Sequence, residues 1–271
     1  MELTKRLHRI FGGNSVVDLC ERIVREAFPL IDSDSEPINP KFLCRLKGIP
    51  VALAEATEFL GRFHWRGGTR PAITIRTGLN AATERFVVAH ELGHWLIQNS
   101  DAHRRQRFLS VTPTHDDPEL DQEEILADAL AVELLLPRGR VQNFAVDRLT
   151  PSELATRASA HGVSAEVYMR RLAGIVEGDL GLATLIPMRF CDLEADVVLD
   201  RLTIVEASDL SIRRPRADTY LRTRVPFAKA ESELGSVVPM VADGVPRVLS
   251  GRSEFRPGMV PQLVYFGTIA R

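Results

Sequence analysis

The sequence predicts a mixed α+β protein, helix-rich up to about residue 178 and β-rich beyond it. Three observations carry this. Apolar residues recur at helical spacing through the first part. One stretch there, Ala72-Ile73-Thr74-Ile75-Arg76, alternates with period two instead. After Asp179, short apolar runs alternate with Gly, Pro and Arg. The expected organisation is therefore a first domain over 1–140, a helical segment over 141–178 that resembles a helix-turn-helix, and a β-rich domain over 179–271.

Each element has a local reason. Val16, Leu19, Cys20, Ile23, Val24 and Ala27 lie on one helical face, so 15–28 reads as an amphipathic helix. Asn39-Pro40 opens a second helix, with Pro suited to the first turn and Gly48 to the end. Ile49–Leu53 reads as a strand. Phe63–Arg66 and Ala72–Arg76 flank Gly67-Gly68, a turn signal, and form an expected hairpin or edge pair. Asn80 caps a helix over about 81–98 that is apolar nearly all round, which marks it as buried. Residues 99–117 are polar and read as a loop. Asp117-Pro118 starts a helix that runs to Leu136 and stops at Pro137. Ser152–Ala160 and Val163–Val176 form a helix pair across a His161-Gly162 turn. Leu182–Ile186, Val197–Leu202, Val237–Val241 and Leu263–Phe266 are the clearest later strands.

Composition narrows the function. Of 271 residues, 45% are hydrophobic and 26% charged, as in an ordinary globular protein. A net charge of −2 argues against broad, charge-driven nucleic-acid binding. Cys20, Cys44 and Cys191 are odd in number and never paired as CxxC, which argues against a disulfide framework or a cysteine zinc site. The first residues, Met1-Glu2-Leu3-Thr4-Lys5-Arg6, do not read as a signal peptide, and no apolar run is long enough for a membrane span. The expectation is a cytoplasmic protein without a membrane partner.

The most informative segment is Phe86-Val87-Val88-Ala89-His90-Glu91-Leu92-Gly93-His94-Trp95. It contains an HExxH motif in an apolar helix. Positions i and i+4 share a helical face, so His90 and His94 can offer two imidazoles to one Zn²⁺. Glu91 lies beside them, placed to take a proton from water activated at that ion. A catalytic zinc needs a third protein ligand. The metzincin route to it fails, because Ile97 and Ser100 stand where Gly and His would be required. The helix at 118–136 offers Glu123, Glu124 and Asp128. Glu124, Ala127, Asp128 and Ala131 share a face whose alanines permit a close helix–helix approach. Glu124 leads as third ligand, and Glu123 is its rival. Asp128, one turn on from Glu124, suits a hydrogen bond from the outer nitrogen of a ligating histidine. His115, Asp116 and Asp117 are weaker candidates on a loop. His64, His103, His115 and His161 read as surface or loop residues, with His103 and His115 secondary candidates for transition-state stabilisation.

These residues resemble a known family. Arg85–His94, followed by Glu124-x-x-Ala127-Asp128-x-x-Ala131-x-x-Leu134-Leu135-Leu136-Pro137, is similar to the two motifs of the ImmA/IrrE bacterial metallopeptidases over roughly residues 45–175. Leu130 and Leu136 depart mildly, standing where Phe and Met are usual. The resemblance implies a zincin-like, gluzincin-type peptidase domain with one zinc per chain, ligands His90, His94 and Glu124, and Glu91 as base. It implies a protein substrate, an XRE-type helix-turn-helix repressor cleaved once to relieve repression in a stress response or mobile-element control. Domain order in IrrE-like relatives implies a GAF-like sensor for 179–271, with a small-molecule ligand that the sequence does not identify.

Two further expectations concern binding. An extended substrate is expected beside the strand at Ile73, Thr74 and Ile75, taken as a sheet edge open to strand addition. The alternative to proteolysis is a DNA-binding or ligand-sensing transcription regulator, suggested by the helix pair at 152–176. Its second helix starts Ser164-Ala165-Glu166, without side chains that read base edges. Arg170 and Arg171 read as a solvated face or as phosphate contacts. A denser arginine cluster at 213, 214, 216, 222 and 224 reads as exposed strand and loop positions.

Overall fold

A computed structural model describes residues 2–31, 37–55, 58–65, 70–99, 118–141, 149–176, 178–187, 196–205, 207, 212–213, 220–222, 237–242, 245–256 and 262–270. Of the loop expected at 99–117, residue 99 ends a helix and 100–117, with His103 and His115, lie outside these residues. So do the Gly67-Gly68 turn, Cys191 and the arginines at 214, 216 and 224.

The chain is mixed α+β, with two sheets, and divides into two compact units. Unit 1 comprises Met1–Gln142, Ala158–Arg171 and Ser208–Leu210; unit 2 comprises Asn143–Arg157, Leu172–Ala207 and Ser211–Arg271. The helix pair of the 141–178 segment is thus shared between them.

Unit 1 opens with α1 (Glu2–Phe11), which the sequence reading did not single out. Leu3 and Leu7, one turn apart, anchor it in the core. α2 (Val16–Ala27) is capped by the Ser15 hydroxyl, which accepts from the Asp18 N–H at 3.2 Å. It buries Val17, Leu19, Cys20, Ile23 and Val24. α3 (Pro40–Leu46) starts at the Asn39 cap with Pro at its first position, and Gly48 follows its end at φ 68°.

A three-stranded sheet follows, made of β1 (Val51–Ala54), β2 (Gly61–His64) and β3 (Ala72–Arg76) in the order β1-β3-β2. β3 runs parallel to β1 and antiparallel to β2. The expectation that β3 is an edge strand is therefore corrected. Ile73, Thr74 and Ile75 lie on the central strand, with backbone pairing on both sides, and the Ile73 and Ile75 side chains are fully buried. An extended peptide has no free edge there to join. Of the antiparallel pair, it is β2 that carries no strand on its second side among the described residues.

α4 (Ala81–Asn99) begins at Asn80, whose side chain accepts from the Thr83 N–H at 2.9 Å. It is buried on several sides, through Val87, Val88, Leu92, Leu96 and Ile97. Arg85 ties its first half to neighbouring loops by donating to the Ile38 carbonyl. α5 (Pro118–Leu135) packs along α4. The approach is close because Gly93 faces Ala127: a Cβ built at Gly93 would lie 2.9 Å from the Ala127 carbonyl oxygen and 3.2 Å from its Cα. Leu126, Ala127, Leu130, Ala131 and Leu134 are buried along α5.

The helix pair is α6 (Pro151–Ala160) and α7 (Ala165–Val176). Arg170 and Arg171 on α7 are neither solvated nor free for phosphates. They are 7% and 1% exposed, and both ion-pair with α5: Arg170 with Asp128, Arg171 with Glu133.

Unit 2 is built on a seven-stranded antiparallel sheet. Its strands are β4 (Leu180–Pro187), β5 (Asp196–Val205), β6 (Ile212–Arg213), β7 (Tyr220–Arg222), β8 (Val237–Ala242), β9 (Val245–Arg256) and β10 (Gln262–Ala270). The order is β6-β5-β4-β10-β9-β8, with β7 also on β5, so the first and last strands meet at the centre. Leu202, Ile204, Leu249, Val264, Tyr265 and Phe266 are buried in it. All four strands expected here occur. The polar β9 was not expected; its Glu254 accepts from the Ser152 N–H at 2.8 Å and from the Ser152 hydroxyl.

The Gly93–Ala127 contact leads to a prediction. Gly93→Ala forces α4 and α5 apart and should cost about 1–3 kcal/mol of stability, as other overpacked contacts do. Chemical denaturation checks this; a wild-type midpoint would show that the helices part freely.

Candidate metal centre

α4 and α5 place two imidazoles opposite one carboxylate. His90 and His94 lie one turn apart on α4, with their Nε2 atoms 3.1 Å from each other. Glu124 on α5 sets Oε2 3.2 Å from His90 Nε2 and Oε1 3.4 Å from His94 Nε2.

The outer nitrogens of both rings are also held. His90 Nδ1 is 2.8 Å from Asp128 Oδ1, and His94 Nδ1 is 3.0 Å from Glu123 Oε1. A carboxylate only accepts, so each Nδ1 donates, and in the neutral ring each Nε2 then turns its lone pair inward. Two nitrogen lone pairs and a carboxylate then face a common point, which a cation or a proton must neutralise. The donor set fits a tetrahedral metal: ligand bonds of about 2.0–2.1 Å imply donor–donor distances of about 3.3 Å.

The expected Glu124 and Asp128 both stand beside the histidines. Glu123, the rival for Glu124's place, sits behind His94 and also accepts from Gln98 Nε2 at 3.1 Å. That role was not foreseen. The signal for it was available, because two ligating histidines each require an outer acceptor and only Asp128 had been assigned. Arg170 was missed as a neighbour of the site for a different reason: it is more than 40 residues from Asp128 in sequence, and only the packing of α7 on α5 brings Nη1 within 2.8 Å of Asp128 Oδ2. Of the other histidines, His64 on β2 contacts the Thr74 hydroxyl at 3.1 Å and His161 stacks on Tyr168.

Glu91 lies beside these groups, 7% exposed, against the backbone of β2. A Cβ at Gly61 would lie 2.6 Å from Glu91 Oε1, so glycine is what lets the strand approach. The Phe63 backbone N–H donates to the Glu91 carboxylate. A cleft of about 550 Å³ opens onto all four groups, walled by Leu60, Phe63, Phe86 and Val87.

Protonation follows from this crowding. Burial pushes the Glu91 carboxyl up, and the two histidines only partly offset it. Burial also works against a charged His90, but hydrogen bonds to Asp128 and Glu124 prevail and raise its pKa to about 10. His94 behaves alike: its hydrogen bonds to Glu123 and Glu124 outweigh burial and raise it to about 9. With Nε2 atoms 3.1 Å apart, the rings share one proton more readily than they carry two. Hydrogen bonds from His90 and His94 hold Glu124 down at about 2.

Comparison with known proteins fits this geometry. Residues 44–173 match the family model Peptidase M78, the IrrE N-terminal-like domain. This segment is an IrrE N-terminal-like domain. It spans β1 to β3, α4, α5, α6 and most of α7, and so holds every group just described. The family identity points to a peptidase, and the IrrE-like domain carries a His90, His94 and Glu124 group able to hold a metal ion. No curated protein matches the chain. A solved Mycobacterium tuberculosis transcriptional regulator is similar with a TM-score of 0.45 and 12% identity, over 99% of this chain and 79% of that chain. No helix among the described residues is long and apolar enough to cross a membrane.

The shared proton sets the pH response of the metal-free IrrE-like domain. His pKa values raised in the folded state stabilise it below the ordinary value of 6.5, and this is lost as pH rises through about 9 to 10. The metal-free melting temperature should therefore fall between pH 6.5 and 10, while metal-loaded protein holds steady. Calorimetric melts with and without chelator test this; a flat metal-free profile would remove the histidine–carboxylate contacts as its cause.

Proposed function

We propose that the chain is a zinc-dependent, gluzincin-type endopeptidase that cleaves a helix-turn-helix repressor of the XRE type at one site, relieving repression. The observation that carries this is Glu91: a buried carboxylate beside three converging metal donors, facing a cleft bordered by a strand edge. A purely structural metal site has no use for that carboxylate.

His90, His94 and Glu124 would hold the ion, with Asp128 and Glu123 fixing the ring tautomers. A bound divalent cation supplies Lewis acidity, polarising water and the scissile carbonyl. Glu91, made more basic by burial and steadied by the Phe63 N–H, takes the proton from the attacking water. It returns that proton to the leaving amine, so both proton transfers pass through one carboxylate.

The sheet order supports a place for the substrate beside β2. β2, not β3, lines the cleft and has no strand on its other side among the described residues, so residues 61–64 rather than 73–75 are the docking strand in this reading. Backbone pairing alone carries little sequence preference. Selectivity for one folded partner then rests on surfaces outside the cleft. The antiparallel sheet of unit 2 supports a GAF-like sensor role, with a small ligand governing the peptidase. Reading the helix pair as a DNA-binding module loses its two arginines, which are buried against α5.

The test is co-expression with an XRE-type repressor encoded nearby. Wild type should clip it once. Glu91→Gln should leave it whole while retaining metal measured by elemental analysis, and His94→Ala or Glu124→Ala should lose both cleavage and metal. Clipping that persists in Glu91→Gln would remove Glu91 from the chemistry.

A further inference from the structure

We propose that Arg170 is a positioning residue for the metal-binding group: seated on the Phe86 ring, it holds the Asp128 carboxylate in the orientation that accepts the His90 Nδ1 proton. The inference rests on the reading of His90 as a ligand, and it extends the site to a third helix.

Asp128 has two oxygens and two tasks. Oδ1 faces His90 Nδ1 at 2.8 Å, and Oδ2 faces Arg170 Nη1, also at 2.8 Å. Without the second contact, the carboxylate turns about its own bond and the His90 ring turns with it. Arg170 is itself restrained. Its side chain is 8% exposed, and its guanidinium carbon lies 5.5 Å from the centroid of Phe86. Phe86 precedes His90 by one turn of α4, with ring centroids 6.3 Å apart. The contacts therefore close a circuit: His90 to Asp128 on α5, Asp128 to Arg170 on α7, and Arg170 back to Phe86 beside His90.

The neighbouring arginine shows that the arrangement is not merely a way of docking α7. Arg171 is 1% exposed and pairs with Glu133, next to Cys20 of α2 and away from the histidines. That pair already fastens α7 to α5. Arg170 adds little to docking that Arg171 lacks; what it adds is a fixed plane for Asp128. A lysine has a single nitrogen and no planar fork with which to lie over Phe86 and meet Oδ2 together.

Zinc affinity, measured by competition with a chromophoric chelator on the full chain, tests this apart from peptidase activity. R170M should weaken binding about tenfold, the low end for loss of a group behind a ligating histidine. D128N should weaken it at least as much, and R170M added to D128N should weaken it little further, since both act through one contact. R170K should fall between wild type and R170M, and it decides the question if R170M does not fold. The cobalt(II)-loaded R170M protein should also show a shifted visible spectrum, which a docking role alone would not produce. Wild-type zinc affinity in the folded Arg170 variants, or full additivity with D128N, overturns the proposal. His90→Ala separates the two levels. If it binds zinc as tightly as wild type, the ligand assignment falls and this inference with it; if it loses zinc while R170M keeps it, only the role of Arg170 falls.

Discussion

The site depends on the distance between two helices. Helices packed through ordinary side chains keep their axes about 8–10 Å apart. Gly93 on α4 meets the backbone of Ala127 on α5, where even a methyl group would lie 2.9 Å from a carbonyl oxygen. That closeness lets a glutamate from one helix reach two imidazoles on the other at 3.2 and 3.4 Å. The small residues are thus part of the metal geometry, although none of them touches the metal position.

Around that contact, four carboxylates surround two histidines, and each has a different environment. Glu123 is 6% exposed and shared between His94 and Gln98. Asp128 is 32% exposed and lies between His90 and Arg170. Glu91 is buried and held by a backbone N–H of β2. Glu124 is 61% exposed and faces the Nε2 atoms of both histidines. The same residue type therefore serves as an orienting acceptor, as a group of raised basicity and as a donor for a cation, according to burial and partner. Desolvation favours the neutral form and a nearby positive charge favours the anion, which is why Glu91 and Glu124 shift in opposite directions.

The sheet beside the motif helix carries a different lesson. The period-two pattern at 72–76 correctly marks a strand, and Ile73 and Ile75 correctly mark its buried face. Such a pattern says nothing about how many neighbours the strand has. β1 joins β3 in parallel from the far side, through a connection of 17 residues between Ala54 and Ala72, and makes it central. Among the described residues β2 has no strand on its other side; it is a four-residue strand whose Gly61 allows it to rest on Glu91 and Val87.

By itself the sequence determined what helical periodicity can encode: His90 and His94 on one face, Glu91 beside them, and Glu124 and Asp128 one turn apart on a small-residue face. It also marked the helix starts at Asn39 and Asn80 and the change to strands after Asp179, because these are short-range features of φ/ψ preference and side-chain spacing. Tertiary structure alone decided that β3 has a neighbour on each side and that Arg170 and Arg171 are buried ion-pair partners of α5. These depend on contacts between elements far apart in the chain, where a charged side chain's fate is set by what packs over it and not by its neighbours in sequence.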